Sequence, residues 1–336
     1  MSARIQENKL LDLRTTSELI RGGRVLVISG EEELLEKLPK GNWIGGTIPY
    51  FYLKNERGRM EKSKVFVSDF TESINDFKIL TIDEAALSSI ALSGFTNGFS
   101  FVIFPSHQRT HYLFALNAQN YHDIKRNPLI GIIAGTDLKE FRSGRLSMTF
   151  NGATKQSSSS DGVVLHCSLL PSKFAKVGVI NLYERSDEFC IEVFDNTFTI
   201  RDCLINGELG NLYQFIKDNK MDINQPLICD CDGLSLNVSF QFLIDTTKEV
   251  VFYAPLFKNK KYYFSKKPDN YKQAFQEQIA GILEREKLII YNCISLVNYI
   301  NGELNKSDIG FSGVTTFGEI AYFLLNQTFT YLAIDD

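Results

Sequence analysis

The sequence predicts an α/β fold in two parts, the second of mixed α+β character. Apolar β-branched runs alternate with helix-patterned segments as far as residue 134, and long β-patterned runs dominate from 163 onward. Between them lies NGATKQSSSSDG at 151–162, a polar stretch with no apolar period. These observations set the halves at 1–155 and 156–336, with the polar stretch as a flexible crossing and a cleft between the halves.

A helical pattern at 10–20 is closed by Gly22 and Gly23, where glycine makes a left-handed helix stop sterically free. Residues 25–28 are apolar and β-branched, Gly30 turns the chain, 31–38 reads as a short acidic helix and 43–53 as a second β-rich run. Together these outline a β-α-β unit. Further β runs at 64–67, 77–82, 99–104 and 129–134 alternate with helical candidates at 83–93 and 106–126. Beyond the polar stretch, β runs at 163–170, 176–183, 189–194, 227–242 and 249–257 surround a short helix at 212–219, a pattern more antiparallel than the first half. The clearest helix spans 270–286, where Tyr271, Ala274, Phe275, Gln278, Ile279, Ile282 and Leu283 recur at three-and-four spacing and assign that face to the core. Residues 288–293 read as a buried strand and 329–334 as a terminal one.

Composition narrows function by exclusion. With 44% hydrophobic and 23% charged residues the 336-residue chain has an ordinary globular balance, large enough for a sizeable core. Forty acidic against 36 basic side chains leave a net charge of -4, without the basic block of a nucleic-acid binder. No stretch approaches the ~18 uncharged apolar residues that span a bilayer, so neither nucleic acid nor membrane is an expected partner. The six cysteines, confined to the region from Cys167 to Cys293, are too sparse for a disulfide scaffold and read as reduced thiols of a cytoplasmic protein.

Several motifs invite chemistry. The turn at Gly30 lacks the other glycines of a dinucleotide fingerprint, and Glu31, Glu32 and Glu33 at the following helix start would repel a phosphate. His107 and His111 stand one helical turn apart, which makes them weak candidates for a metal or haem, while His122 lies too far along the same helix to share an ion. Cys229 and Cys231 point to one face of a strand but lack further ligands, so no metal site is assigned. No G-x-S-x-G elbow, P-loop or zinc-finger spacing occurs. The informative segment is 313–328, GVTTFGEIAYFLLNQT. Gly313 and Gly318 permit tight turns, Thr315 and Thr316 offer hydroxyls, and Glu319 is a lone acid in an apolar stretch that something must satisfy. It closes either on the polar cluster Asn326-Gln327-Thr328 or on a ligand in the cleft, and the cleft is the favoured expectation.

This segment resembles the C-terminal motif of the FIST family, a bacterial and eukaryotic sensory domain of intracellular signal transduction. In that family a cysteine-bearing strand leads through a helix to a glycine, a T-x-G-E-I-like turn and a terminal N-x-T strand. Here Cys293, a helix-like 296–304, Thr316-Phe317-Gly318-Glu319-Ile320 and Asn326-Gln327-Thr328 stand in that order, a match over about 45 residues. GNWIGGTIPYF at 41–51 occupies the place of the glycine-rich strand end of FIST N-terminal halves, and an uncharacterised bacterial family sharing that segment is a closer resemblance that adds no function. Where many FIST proteins carry an arginine after the cysteine, this chain has Ser295, Leu296 and Val297.

The resemblance implies a FIST N-like half at 1–155 and a FIST C-like half at 156–336, acting as a cytoplasmic small-molecule sensor that signals through a separate protein. Its ligand set is Gly46, Thr47, Cys293, Thr315, Thr316, Glu319 and Asn326, with no cofactor or catalytic residue assigned. The rival readings are an enzyme with Cys293 as nucleophile, a haem-based nitric oxide sensor, and a ligand-free interaction scaffold. One internal echo favours a site between the halves: Gly46-Thr47-Ile48-Pro49-Tyr50-Phe51 and Gly318-Glu319-Ile320-Ala321-Tyr322-Phe323 share four of six residues.

Overall fold

A computed structural model describes residues 8–54, 56–231, 233–283, 293–295, 302 and 312–335. Among these, four six-stranded sheets and one three-stranded sheet carry short helices, so the class is mixed α/β as the alternating pattern predicts. None of the described helices is long and apolar enough to cross a membrane.

The β-α-β outline is present. Leu26–Gly30 pairs in parallel with Trp43–Thr47, and Val65–Asp69, Lys9–Leu11, Thr149–Asn151 and Gln156–Ser158 complete the first sheet. Leu13–Arg21 is capped by Asp12, whose carboxylate accepts the Thr15 N–H at 2.8 Å, and stops at Gly22 and Gly23, the latter at φ 79°. This helix leans Ile20 onto Leu26, Ile28 and Trp43. The β run expected at 43–53 is broken at Ile48 and Pro49, and Tyr50–Tyr52 joins a different sheet. Proline donates no ladder hydrogen bond, so the chain changes sheets there.

A second sheet is ordered Phe323–Leu325, Glu319–Ala321, Leu129–Ala134, Gly98–Pro105, Gly162–Leu169 and Ile74–Ile82, with Gly98–Pro105 and Leu129–Ala134 parallel. The third contains Phe174–Ile180, Phe329–Asp335, Cys293–Ser295, Gly313–Thr316, Tyr50–Tyr52 and Arg59–Met60. Tyr271–Leu283 packs Tyr271, Phe275 and Ile279 onto the third sheet, with the Phe275 and Phe329 rings 4.3 Å apart. Gln278 is exposed and its Nε2 donates to Asn181 O at 3.0 Å, just beyond the Phe174–Ile180 strand, and the side chains of Ile282 and Leu283 lie outside the description.

The expectations for the polar stretch, for the helices at 83–93 and 106–126 and for His122 are corrected. The polar stretch at 151–162 is a hairpin, with Thr149–Asn151 paired to Gln156–Ser158 and Asn151 Oδ1 accepting the Ala153 and Thr154 N–H groups. Gly162–Leu169 then inserts between Ile74–Ile82 and Gly98–Pro105, so strands from both sides of residue 155 share sheets. The helical candidate at 83–93 holds only the 3-10 turn Leu87–Ser89, and that at 106–126 only Arg109–Asn117 with a following turn. His122 is consequently off the helix, exposed beside Asp123. Apart from Gly302 and Cys293, the expected helix at 296–304 and strand at 288–293 lie outside the described residues.

Candidate functional site

The segment at 313–328 is built into the interior. Phe317 N–H donates to Ile133 O and Ile133 N–H to Gly318 O, after which Glu319–Ala321 pairs with Leu129–Ala134. Gly135 N–H donates to Thr47 O at 2.7 Å, and a Cβ on Gly135 would run into the Phe317 ring. Gly46 sits where a Cβ would lie 2.7 Å from Ile103 and 3.2 Å from Ala134. Both halves of the sequence echo therefore reach the end of one strand, where Gly46, Thr47, Gly318 and Glu319 are all buried.

Glu319 lies in the interior rather than on an open surface, and one of its two carboxyl oxygens, Oε2, has no hydrogen-bond partner among the described residues. Its carboxylate is wholly buried, and Oε1 accepts the Thr328 N–H at 2.9 Å and the Thr328 hydroxyl at 3.4 Å. Burial holds the carboxyl far above its usual range. Asn326 Oδ1 accepts the Ser239 N–H at 3.3 Å, Thr316 Oγ1 donates to Gly318 O at 2.9 Å, and Thr315 is fully buried with no hydrogen-bond partner among the described residues. Gln327, at φ 54°, accepts from the Tyr183 hydroxyl and donates to Ser239 Oγ and Asn224 O. This cluster fastens the second sheet to its neighbours. Cys293 stands opposite Thr330 in the third sheet, but its side chain lies outside the description.

A different constellation collects at the carboxyl ends of two parallel strand pairs, Leu26–Gly30 with Trp43–Thr47 and Gly98–Pro105 with Leu129–Ala134, the position at which α/β sheets present loops to ligands. Thr47 Oγ1 accepts the Met148 N–H at 2.9 Å, and the preceding Ser147 Oγ accepts the Ser106 N–H at 2.7 Å. His107 follows, held at φ 56°, with Nδ1 2.8 Å from the Tyr112 hydroxyl and its ring 5.1 Å from Phe141. Such a conformation is rare outside glycine and is retained only where the surroundings enforce it.

His107 N–H donates to His111 Nδ1 at 3.2 Å. Burial, and secondarily His107, pulls the His111 pKa down to about 3. The ring is therefore neutral, and because Nδ1 accepts, its proton resides on Nε2. That nitrogen is buried without a hydrogen-bond partner among the described residues. No group of three His, Cys, Asp or Glu suited to a metal occurs among the described residues.

At the other side of this end, the Lys62 ammonium lies 2.7 Å from Asp137, 2.9 Å from Glu140 and 3.7 Å from Glu31. Arg145 binds Glu140, Glu32 and Glu33. Hydrogen bonds to Asp137 and Glu140 hold Lys62 above its ordinary pKa, and Lys62 in turn holds Asp137 below. Glu31 is raised by burial. Glu31 Oε1, Ser29 Oγ and Thr136 Oγ1 join His111 Nε2 as buried polar atoms without hydrogen-bond partners.

Residues 11–335 match a family of unknown function, DUF6976, so the match takes in every strand that builds the site. The chain belongs to DUF6976. No curated protein matches it.

Of the residues read from the DUF6976 sequence, Thr47, His107 and His111 belong to this end, and Phe317 reaches it through Phe141 at 6.1 Å. Thr316, Glu319 and Asn326 hydrogen-bond within the interior, where the Thr315 hydroxyl is buried without a hydrogen-bond partner among the described residues. Sequence reasoning noted Glu31–Glu33 only as a bar to phosphate and missed Lys62, Asp137 and Arg145. A signal for Asp137 did exist: it follows the 129–134 β run and caps Leu138–Arg142, accepting the Lys139 N–H at 3.0 Å. Lys62, on a short loop, carried none.

Proposed function

We propose that this DUF6976 chain is a cytoplasmic small-molecule-binding protein of intracellular signal transduction. It takes a small polar molecule at the carboxyl ends of Leu26–Gly30, Trp43–Thr47, Gly98–Pro105 and Leu129–Ala134 and passes its state to a separate protein. One observation carries the reading. Glu31 Oε1, Ser29 Oγ, Thr136 Oγ1 and His111 Nε2 are buried there without hydrogen-bond partners among the described residues, and buried polar groups ordinarily find one. The resemblance of the 313–328 segment to the FIST sensory family supports the sensing role, and the absence of a basic block in the sequence supports a small-molecule rather than a nucleic-acid ligand.

Native mass spectrometry of the protein purified from its own host is the test. A bound molecule of constant mass is expected, lost from Thr136→Val and Ser29→Ala while both variants keep a cooperative melt. Ligand-free protein in which those variants melt higher than wild type would overturn the reading, because the polar atoms would then be uncompensated defects.

A further inference from the structure

Among the described residues the first sheet ends in an open edge. Gln156–Ser158 is its outermost strand and pairs with Thr149–Asn151 on one side. Thr47 N–H donates to Met148 O and Gly152 N–H to Trp43 O, so the even-numbered residues of 148–152 bond to Trp43–Thr47, while Thr149 and Asn151 bond to Ser158 and Gln156. That alternation turns the N–H and C=O of the exposed Ser157 away from the sheet. Such edges are ordinarily blunted by a proline, a bulge or a lysine. Here the register with Thr149–Asn151 is unshifted, and the Lys155 ammonium folds back to donate to Glu36 O and Leu38 O.

A cavity flanks each face of this edge. Side chains alternate along a strand, so Trp43, Phe150 and Ser157 share one face and Thr149, Asn151 and Ser158 the other. On the first face a cavity of about 280 Å³ is lined by the Trp43 and Phe150 rings, 6.3 Å apart, with Glu36 and Lys155 beside them. On the second, a cavity of about 220 Å³ is lined by Thr81, Thr149, Ser158 and Asp161. The Asp161 carboxylate accepts the Ser158 and Ser160 hydroxyls and has no ion pair among the described residues.

We propose that the edge at Gln156–Ser158 receives an extended segment of a partner protein as an added strand. Its backbone exchanges hydrogen bonds with Ser157, and the residue opposite Ser157 sends an apolar side chain into the cavity beside Trp43 and Phe150. The next residue points to the opposite face and is a lysine or arginine that reaches Asp161. The charges of Glu36 and Lys155 offset one another on the first face, which leaves the rings to select an apolar group, whereas Asp161 is the ionised group lining the second and selects a cation. This surface is separate from the small-molecule site and does not depend on it.

NMR of the full chain with the capped peptide acetyl-Thr-Lys-Phe-Lys-Thr-amide tests this. Saturable binding is expected, with hydrogen exchange slowed at the Ser157 amide and unchanged at Gln156 and Ser158, whose N–H groups the ladder already uses. Affinity should fall about tenfold in Asp161→Asn, and by at least about as much for the peptide with both lysines replaced by glutamate. Binding should vanish in Ser157→Pro, which removes a donor that the ladder does not use and so should keep the fold. N-methylation of the peptide phenylalanine should abolish binding to the wild type, with no change to the protein. No saturable binding by the wild type, binding indifferent to N-methylation, or equal affinity for the lysine and glutamate peptides would overturn the inference. Ser157 protection that grows with protein concentration in the absence of peptide would overturn it in favour of a second copy of the chain.

Discussion

Glu319 and Thr328 are joined within the core: the carboxylate of a second-sheet strand accepts the backbone N–H that leads into Phe329–Asp335 of the third sheet. The acid that the sequence marked for a ligand is thus a joint between layers.

The joint has a pH signature. Burial raises the folded-state pKa of Glu319 above its ordinary 4.5, so the folded chain holds a proton that the unfolded chain releases. Its stability contribution is complete below that ordinary value and is lost as pH rises toward the folded pKa. Wild type should therefore lose stability relative to Glu319→Gln by up to about 1.4 kcal/mol per pH unit above pH ~5. Parallel slopes in denaturant melts of the two proteins would show that Glu319 is not protonated in the fold.

Gln327 should be the least replaceable residue of its cluster. Gln327→Ala strands the Tyr183 hydroxyl, Ser239 Oγ and Asn224 O, at a cost of about 3 kcal/mol, whereas Tyr183→Phe removes one donor at about 1 kcal/mol. Urea unfolding checks the order, and comparable losses would mean that water replaces the amide.

Gly135→Ala places a methyl group in the space of the Phe317 ring and should destabilise by about 1 to 3 kcal/mol. Phe317→Ala opens that space. A double-mutant cycle should show the pair recovering part of the loss, and strict additivity would mean that the two segments do not meet.

His111 should be neutral through mild acid. Its folded pKa of about 3 lies below the ordinary 6.5, so its contribution is present above 6.5 and is lost as pH falls from there toward 3. His111→Gln should flatten the acid limb of the stability curve, and imidazole NMR signals of His111 and His166, the latter lowered to about 4, should stay in the neutral form at pH ~5. A midpoint near 6.5 for either ring would mean that it is open to water.

Local pattern was enough to determine the parallel pair of Leu26–Gly30 and Trp43–Thr47, the strand Leu129–Ala134, and the apolar face of Tyr271–Leu283. Each of these announces itself through periodicity or end-capping inside its own segment. The lone acid at Glu319 was equally legible as something that needed a partner, and Asn326-Gln327-Thr328 was named as one alternative. Which alternative holds is a matter of depth, because a carboxylate faces solvent or the interior according to which sheet covers it. The hairpin at Thr149–Ser158 was missed because its second strand, Gln156–Ser158, is polar and carries no apolar alternation, and the insertion of Gly162–Leu169 between first-half strands was invisible because strand partners far apart in sequence leave no local period. The ammonium cluster is the extreme case: Lys62, Glu31 and Asp137 come from three separate loops, and only the stacking of two parallel strand pairs brings their charges within reach of one another.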